Sequence, residues 1–244
     1  MQTSLNSDRF LFLDVGDTLL TMKKPAGEIY FDVLKNFGLT NANRPSGSLE
    51  RAFRKAYSEL TKEPLPEHRD KFHAHSGGSE GWWRDLLGIF LKEIGSDLDP
   101  DPIFLSIFQK FDDPSVWEID PGFPNLLSFV KESGYGLGII SNWDHRLRDL
   151  LESVGILSYF NPIFVSAEFG FEKPSHRIFQ AASETVGLPP EKLFYCGDKV
   201  ELDITPTREL GWTSFHKNEK GDLRHLGELV DLLKGSCGDK NSES

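Results

Sequence analysis

Apolar and polar positions along this chain fall into two periods. Five short apolar runs read as buried strands: RFLFLD (9–14), GYGLGIIS (134–141), PIFVSA (162–167), KLFYCGD (192–198) and the weaker WTSFHK (212–217). From the second run onward, a helical pattern separates each strand from the next. DHRLRDLLESVG and PSHRIFQAASETVG carry apolar residues at three- and four-residue steps and close on glycine. This alternation predicts an α/β fold, a Rossmann-like parallel sheet with helices on both faces.

The first strand is followed by something else. The distance to the second strand far exceeds the dozen or so residues of an ordinary crossover. It holds four amphipathic helix candidates: AGEIYFDVLKNFG, SGSLERAFRKAYSELTK, SEGWWRDLLGIFLKEIG and DPIFLSIFQKF. No segment between them reads as a strand. The expected organisation is a core of residues 1–20 and 116–234, an all-helical cap inserted at 21–115, and a small, polar, disordered tail at 235–244.

Ligands of open parallel sheets bind beyond the carboxyl ends of the strands. Four strands deliver polar groups there: Asp14, Ser141, Glu168 or Lys173 in the loop after the third, and Asp198. An insertion rooted at the same edge would cover them. A carboxylate closing the apolar run FLFL is costly to bury without partners, so Asp14 reads as a cap or a reacting group.

The neighbouring residues allow ordinary structural roles as well. Asp203 could cap the helix containing Pro206. Asn142 or Asp144 could cap the helix after the second strand, and Asp144 and Arg148 are spaced for an i,i+4 pair. Lys173 precedes Pro174, a favoured first helical residue. Yet carboxylates gathered at one edge repel one another unless a cation compensates, and hard oxygen ligands favour Mg²⁺. Ser141 and Asn142 can donate hydrogen bonds to an oxyanion, and Lys173 would bring a permanent positive charge.

Composition narrows the function classes. The chain has 244 residues, 38% hydrophobic and 27% charged, with a formal net charge of −11. That balance argues against general binding to nucleic acid or anionic membranes, but not against a small anionic substrate in a local positive pocket. Cys196 and Cys237 make no disulfide framework. The N-terminus is polar and no stretch has the length of a membrane span, so a soluble cytoplasmic protein is expected.

The order Asp14, then Ser141-Asn142, then Lys173-Pro174, then Gly197-Asp198 with Asp203 resembles the haloacid dehalogenase superfamily of aspartate-nucleophile hydrolases. The match spans roughly residues 9 to 234, and the insertion resembles that superfamily's helical cap. The resemblance implies that Asp14 attacks phosphorus to form an aspartyl-phosphate. It implies that Ser141 and Lys173 hold the phosphoryl group, and that Asp14, Asp198 and the Gly16 carbonyl bind Mg²⁺ with Asp203 in support. Family phosphatases read Asp-x-Asp-x-Thr, the second Asp being the general acid–base. Here that position is Gly16, and the acid stands one residue on, at Asp17. Asp17 would substitute if the loop after Gly16 turned it inward, whereas along an extended chain it would point away from the site.

Three readings follow. The first is a Mg²⁺-dependent phosphatase or phosphotransferase suited to leaving groups that need little protonation. The second is hydrolysis of a C–halogen or C–P bond, with Lys55 or Lys62 nominated as a Schiff-base lysine for the latter. The third is a weak or inactive member that binds a phosphorylated ligand or a protein partner.

Overall fold

The computed structural model describes residues 7–40, 45 and 47–238. Its strands in chain order are β1 (Phe10–Leu13), β2 (Leu20–Met22), β3 (Trp117–Ile119), β4 (Gly136–Ser141), β5 (Ile163–Val165), β6 (Leu193–Gly197) and β7 (Thr213–His216). Five of them form one parallel sheet in the order β5-β4-β1-β6-β7. β1 lies at its centre, with Phe12 opposite Gly138 on one side and Tyr195 on the other. All five predicted strands are present, shortened by a residue or more at their ends.

Side-chain alternation along β1 feeds two cores, as a pleated strand buried on both faces requires. Leu11 and Leu13 join the larger cluster, and Phe10 and Phe12 join a second one on the opposite face. Each such fully buried side chain contributes about 1.5–3 kcal/mol relative to exposure.

The long insertion carries α1 (Ala26–Leu34), α2 (Ser48–Leu60), α3 (Lys71–Ala74), α4 (Gly78–Glu93) and α5 (Asp101–Lys110). These helices have an apolar cluster of their own, including Tyr30, Leu34, Trp82, Phe90 and Phe104. Four of them match the periodic segments of the sequence, and the four-residue α3 is too short to show a period.

Two short strands beyond the five predicted flank the insertion. β2 and β3 pair antiparallel, Leu20 against Ile119, and bring the two ends of the insertion side by side. Three residues each are too few for a visible alternation. A second tie joins the insertion to the loop after β5. Asp70 N–H donates to the Gly170 carbonyl at 3.0 Å, Glu172 N–H donates to the His68 carbonyl at 2.9 Å, and Lys71 pairs with Glu172 at 2.9 Å.

The remaining helices are α6 (Phe123–Ser133), α7 (Leu147–Ser153), α8 (Ser166–Phe169), α9 (His176–Val186), α10 (Thr205–Glu209) and α11 (Leu229–Gly238). α6, α7 and α11 pack on the Leu11–Leu13 face, and α9 on the Phe10–Phe12 face. Two boundaries differ from expectation. α9 starts at His176 rather than Pro174, with Ser175 at its N-cap. Residues 235–238 of the expected disordered tail are helical, and 239–244 lie outside the described residues. No helix among the described residues is long and apolar enough to cross a membrane.

Candidate active site

β1 ends at Leu13, and the Asp14 N–H still pairs with the Cys196 carbonyl at 2.9 Å, so the carboxylate leaves the very end of the sheet's central strand. Ser141 closes β4 next door, and Gly197 closes β6 on the other side. The adjacency of these three strands converts residues far apart in sequence into neighbours.

Asp14 is buried, and its two oxygens are not equivalent. Oδ1 accepts from Ser141 Oγ at 2.8 Å and from Lys173 Nζ at 2.8 Å. Oδ2 accepts from no protein group among the described residues. The carboxylate is therefore held by one oxygen and presents the other.

Lys173 is fully enclosed, and all its ammonium protons are placed. They go to Asp14 Oδ1, to Asp203 Oδ1 at 2.6 Å and to the Tyr195 hydroxyl at 2.9 Å. Burial alone would lower the lysine's pKa, but the carboxylates of Asp14 and Asp203 hold it above its ordinary value. Asn142 positions it from behind: the amide donates to the Lys173 carbonyl at 2.9 Å and accepts from the Lys173 N–H at 2.7 Å. The Asn142 side chain thus acts on the lysine backbone, and Ser141 and Lys173 are the two donors that face Asp14.

Asp203 is not a cap for the helix containing Pro206. It lies inside a single π turn (Val200–Ile204), and its Oδ2 accepts from the Lys199 N–H at 3.0 Å. Its carboxyl group folds back over Gly197, where an added Cβ would fall 2.4 Å from Asp203 Cγ. Only glycine leaves that space. Tyr195 completes the enclosure, its hydroxyl 2.9 Å from the Ile140 carbonyl and 3.1 Å from Asp203 Oδ1. The sequence reading missed Tyr195. The available signal was a phenol inside a wholly apolar strand, which needs a hydrogen-bond partner when buried.

Asp198 is half-buried and ion-paired with Lys199. Asp14, Asp198 and Asp203 each bring a ligand oxygen to within 4.8 Å of the others. Burial first, then the neighbouring carboxylates, raise Asp14 to about 6 against the opposing pull of Lys173. Burial likewise raises Asp198. Crowded oxygens whose negative charge Lys173 and Lys199 only partly offset are the donor set of a hard divalent cation, so the residues present fit Mg²⁺.

Gly16 and Asp17 occupy a tight turn, with the Asp17 N–H bonded to the Leu20 carbonyl at 2.9 Å. Asp17 has φ of 55°, a left-handed conformation that Asp tolerates better than most residues. Lys217 holds this turn, donating to the Asp17 carbonyl at 2.9 Å while paired with Asp120 at 3.1 Å. Because the turn breaks strand alternation, Asp17 does not point away. It is exposed on the lining of a cavity of about 340 Å³ between the sheet edge and the inserted helices.

Asp144 anchors the other side of that cavity. It accepts from Trp83 Nε1 at 2.8 Å and from Arg146 at 2.7 Å, and these bonds outweigh burial to lower its pKa. The expected Asp144–Arg148 pair is not formed, since Arg148 turns to Glu168 at 2.9 Å. In the WWRDL segment Trp82 is core, while Trp83 faces the cavity. Arg84 pairs with Asp101. Neither Lys55 nor Lys62 lines the cavity; Lys55 is exposed and paired with Glu93. The cavity's lysine is Lys71, kept protonated by Tyr57 and Glu172 although burial opposes it.

Comparison with known proteins places the chain in a family. Residues 9–211 match the haloacid dehalogenase-like hydrolase family. The chain is 31% identical to haloacid dehalogenase-like hydrolase domain-containing protein 3 of Bos taurus, covering 93% of this chain and 96% of that protein. It is 26% identical to glyceraldehyde 3-phosphate phosphatase of Methanopyrus kandleri over 82% and 80% of the two chains. The magnesium-bound HAD-hydrolase YfnB of Bacillus subtilis superposes with a TM-score of 0.72 at 19% identity, over 94% and 100% of the two chains. The chain belongs to the haloacid dehalogenase-like hydrolases.

Proposed function

We propose that this hydrolase is a Mg²⁺-dependent phosphatase or phosphotransferase that works through an aspartyl-phosphate at Asp14. The observation that carries the reading is the asymmetry of that carboxylate. Oδ1 is fixed by Ser141 and Lys173, and Oδ2 is left without a protein partner beside two further acids. A nucleophile held this way loses little freedom on reaction, which is where positioning lowers a barrier.

Asp14, Asp198 and the Gly16 carbonyl would hold Mg²⁺, with Asp203 supporting them from its bonds to Lys173 and Lys199. The ion supplies neutralisation of phosphoryl charge. The chain's own residues do the rest. Asp14 Oδ2 attacks phosphorus as the ester P–O bond breaks. The Ser141 hydroxyl and the Lys173 ammonium stabilise the charge spread over the transferring oxygens. Water then cleaves the acyl phosphate and returns Asp14. The inserted helices act as a cap that covers the site.

Two features weigh against the other hydrolytic readings. The acidic cluster at Asp14, Asp198 and Asp203 is superfluous for halide release, which needs no metal. Lys71 is held as an ammonium by its ion pair with Glu172, so it is a poor Schiff-base nucleophile.

Phosphate release from acetyl phosphate and para-nitrophenyl phosphate, measured with and without Mg²⁺, tests the proposal. It predicts metal-dependent turnover lost in Asp14→Asn. Metal-independent halide release from a 2-haloacid, with no phosphatase activity, would replace it.

A further inference from the structure

Resting on the phosphatase reading, we infer that the substrate is an aryl phosphate, its uncharged aromatic leaving group seated in the cavity between the sheet edge and the inserted helices. Three features converge on this class: the wall at Gly16, the lining of the cavity, and its charge.

The wall comes first. Where a proton donor would stand, at Gly16, there is no side chain. The nearest group to that position is the indole of Trp143, its Cζ3 atom 3.6 Å from where a Cβ would lie. An apolar ring therefore borders the leaving-group side. No donor stands at Gly16 itself, which favours a leaving oxygen that departs as its anion, as an aryloxide does far more readily than an alkoxide.

The lining is suited to such a group. Aromatic side chains make up half of it, among them Tyr30, Phe53, Tyr57, Phe104 and Phe108 contributed by the inserted helices. Tyr30 and Phe53 meet edge to face at 5.2 Å, and Phe53 stacks towards Tyr57 at 6.5 Å. Tyr30 and Phe104 are almost wholly buried, so the half-buried Phe53 and Tyr57 present the accessible ring surface to a further ring.

Charge then excludes the alternatives. Among the described residues, the cations on the lining are Lys71 and Arg146, and each is already paired. Lys71 donates to Glu172 at 2.9 Å. Arg146 bonds to Asp144 at 2.7 Å and Asp112 at 3.1 Å, and its guanidinium lies 3.5 Å from the centre of the Phe108 ring. A second anionic group on the substrate, such as a carboxylate or another phosphate, would find no unpaired cation there among the described residues and would face Asp17. A neutral ring meets no such cost.

The step balances without an enzyme acid. Asp14 Oδ2 forms a bond to phosphorus while the aryl P–O bond breaks, and the aryloxide leaves with the electron pair and takes a proton from solvent water. Water then attacks phosphorus, regenerating the carboxylate and releasing phosphate and a proton.

The full chain in Mg²⁺ tests this with 2-naphthyl phosphate, a hexafluoroisopropyl phosphate of similar leaving-group acidity but no ring, and acetyl phosphate. The expected kcat/KM for the naphthyl ester exceeds that for the fluoroalkyl ester about 100-fold, as burial of a fused ring implies. Phe53→Ala, a half-buried position, or Tyr57→Leu should reduce that ratio about tenfold in folded protein. 2-Naphthol should quench the tryptophan fluorescence of the cavity and compete with the naphthyl ester. Equal kcat/KM for the two esters, or a ratio unmoved by both variants, overturns the inference and leaves the phosphatase reading standing. Hydrolysis of none of these compounds, acetyl phosphate included, overturns the phosphatase reading and the inference with it.

Discussion

The Trp143 ring lies against Gly16 at ordinary van der Waals distance, 3.6 Å from the point a Cβ would occupy. Gly16 is also outside the left-handed backbone region in which a side chain is strained. A Cβ can therefore be added there without a clash or a strained backbone. Gly16→Asp should raise kcat/KM for alkyl phosphates by about 10²-fold, the typical reach of one general acid–base. Aryl phosphates should gain much less, because their leaving group needs no proton. A folded variant with unchanged alkyl turnover would show that Gly16 is not what limits the enzyme.

Lys173 carries the positive charge between two buried carboxylates. Removing it as Lys173→Met leaves Asp14 and Asp203 facing each other, a loss of about 3–5 kcal/mol for breaking a buried pair. Activity should fall by about 10²–10³-fold from lost phosphoryl stabilisation. Thermal unfolding with and without Mg²⁺ separates the two effects, since a divalent cation should recover part of the stability and little of the turnover. Unaltered stability in metal-free buffer would contradict the ion-pair geometry.

The pKa of Asp14, raised to about 6, sets a pH dependence with a definite sign. A carboxyl group whose folded-state value lies above its ordinary one favours folding in its neutral form. Metal-free protein should therefore be most stable below about pH 4 with respect to this group, and lose that contribution as pH rises through about 6. Mg²⁺ must displace the proton, so its apparent affinity should weaken about tenfold per pH unit below about 6 and level off above 7. The Mg²⁺-induced shift in Tm, followed from pH 5 to 8, should grow with pH in wild type and grow less steeply in Asp14→Asn, where Asp198 still has a proton to lose.

Trp83 and Asp144 join α4 to the core loop after β4 through a 2.8 Å hydrogen bond to a buried carboxylate. Trp83→Phe keeps the ring and deletes the donor. It should cost about 1.5–3 kcal/mol, the worth of a hydrogen bond to a charged group. KM for aryl phosphates should rise as the cavity loosens, while kcat for acetyl phosphate moves less. Identical Tm values for variant and wild type would contradict this tie.

The five sheet strands were legible because each is an apolar run closing on a polar residue. The positions of Asp14, Ser141 and Asp198 followed from where those runs end. Lys173 was legible only through its place in the motif order, because nothing local distinguishes a lysine before a proline. Other features depend on contacts between segments remote in sequence. Tyr195 bonds to Lys173 only once β6 lies beside β1, and β2 and β3 become strands only by meeting each other. The direction of Asp17 was not legible, because strand alternation ends in a turn where its φ is 55°. Asp144 found Arg146 and Trp83 rather than Arg148, since a buried acid takes the donors that tertiary packing supplies. Lys71 drew no notice in a charged stretch, and its importance comes from the tie to Glu172.

The central claim is that Asp14 Oδ2 is the nucleophile. Acid quenching during turnover of acetyl phosphate in Mg²⁺, followed by intact-protein and peptide mass spectrometry, tests it most directly. The account predicts a single phosphate adduct on the peptide containing Asp14, absent in Asp14→Asn, which should also release no phosphate. Undiminished phosphate release by Asp14→Asn, with no adduct in either protein, would contradict it.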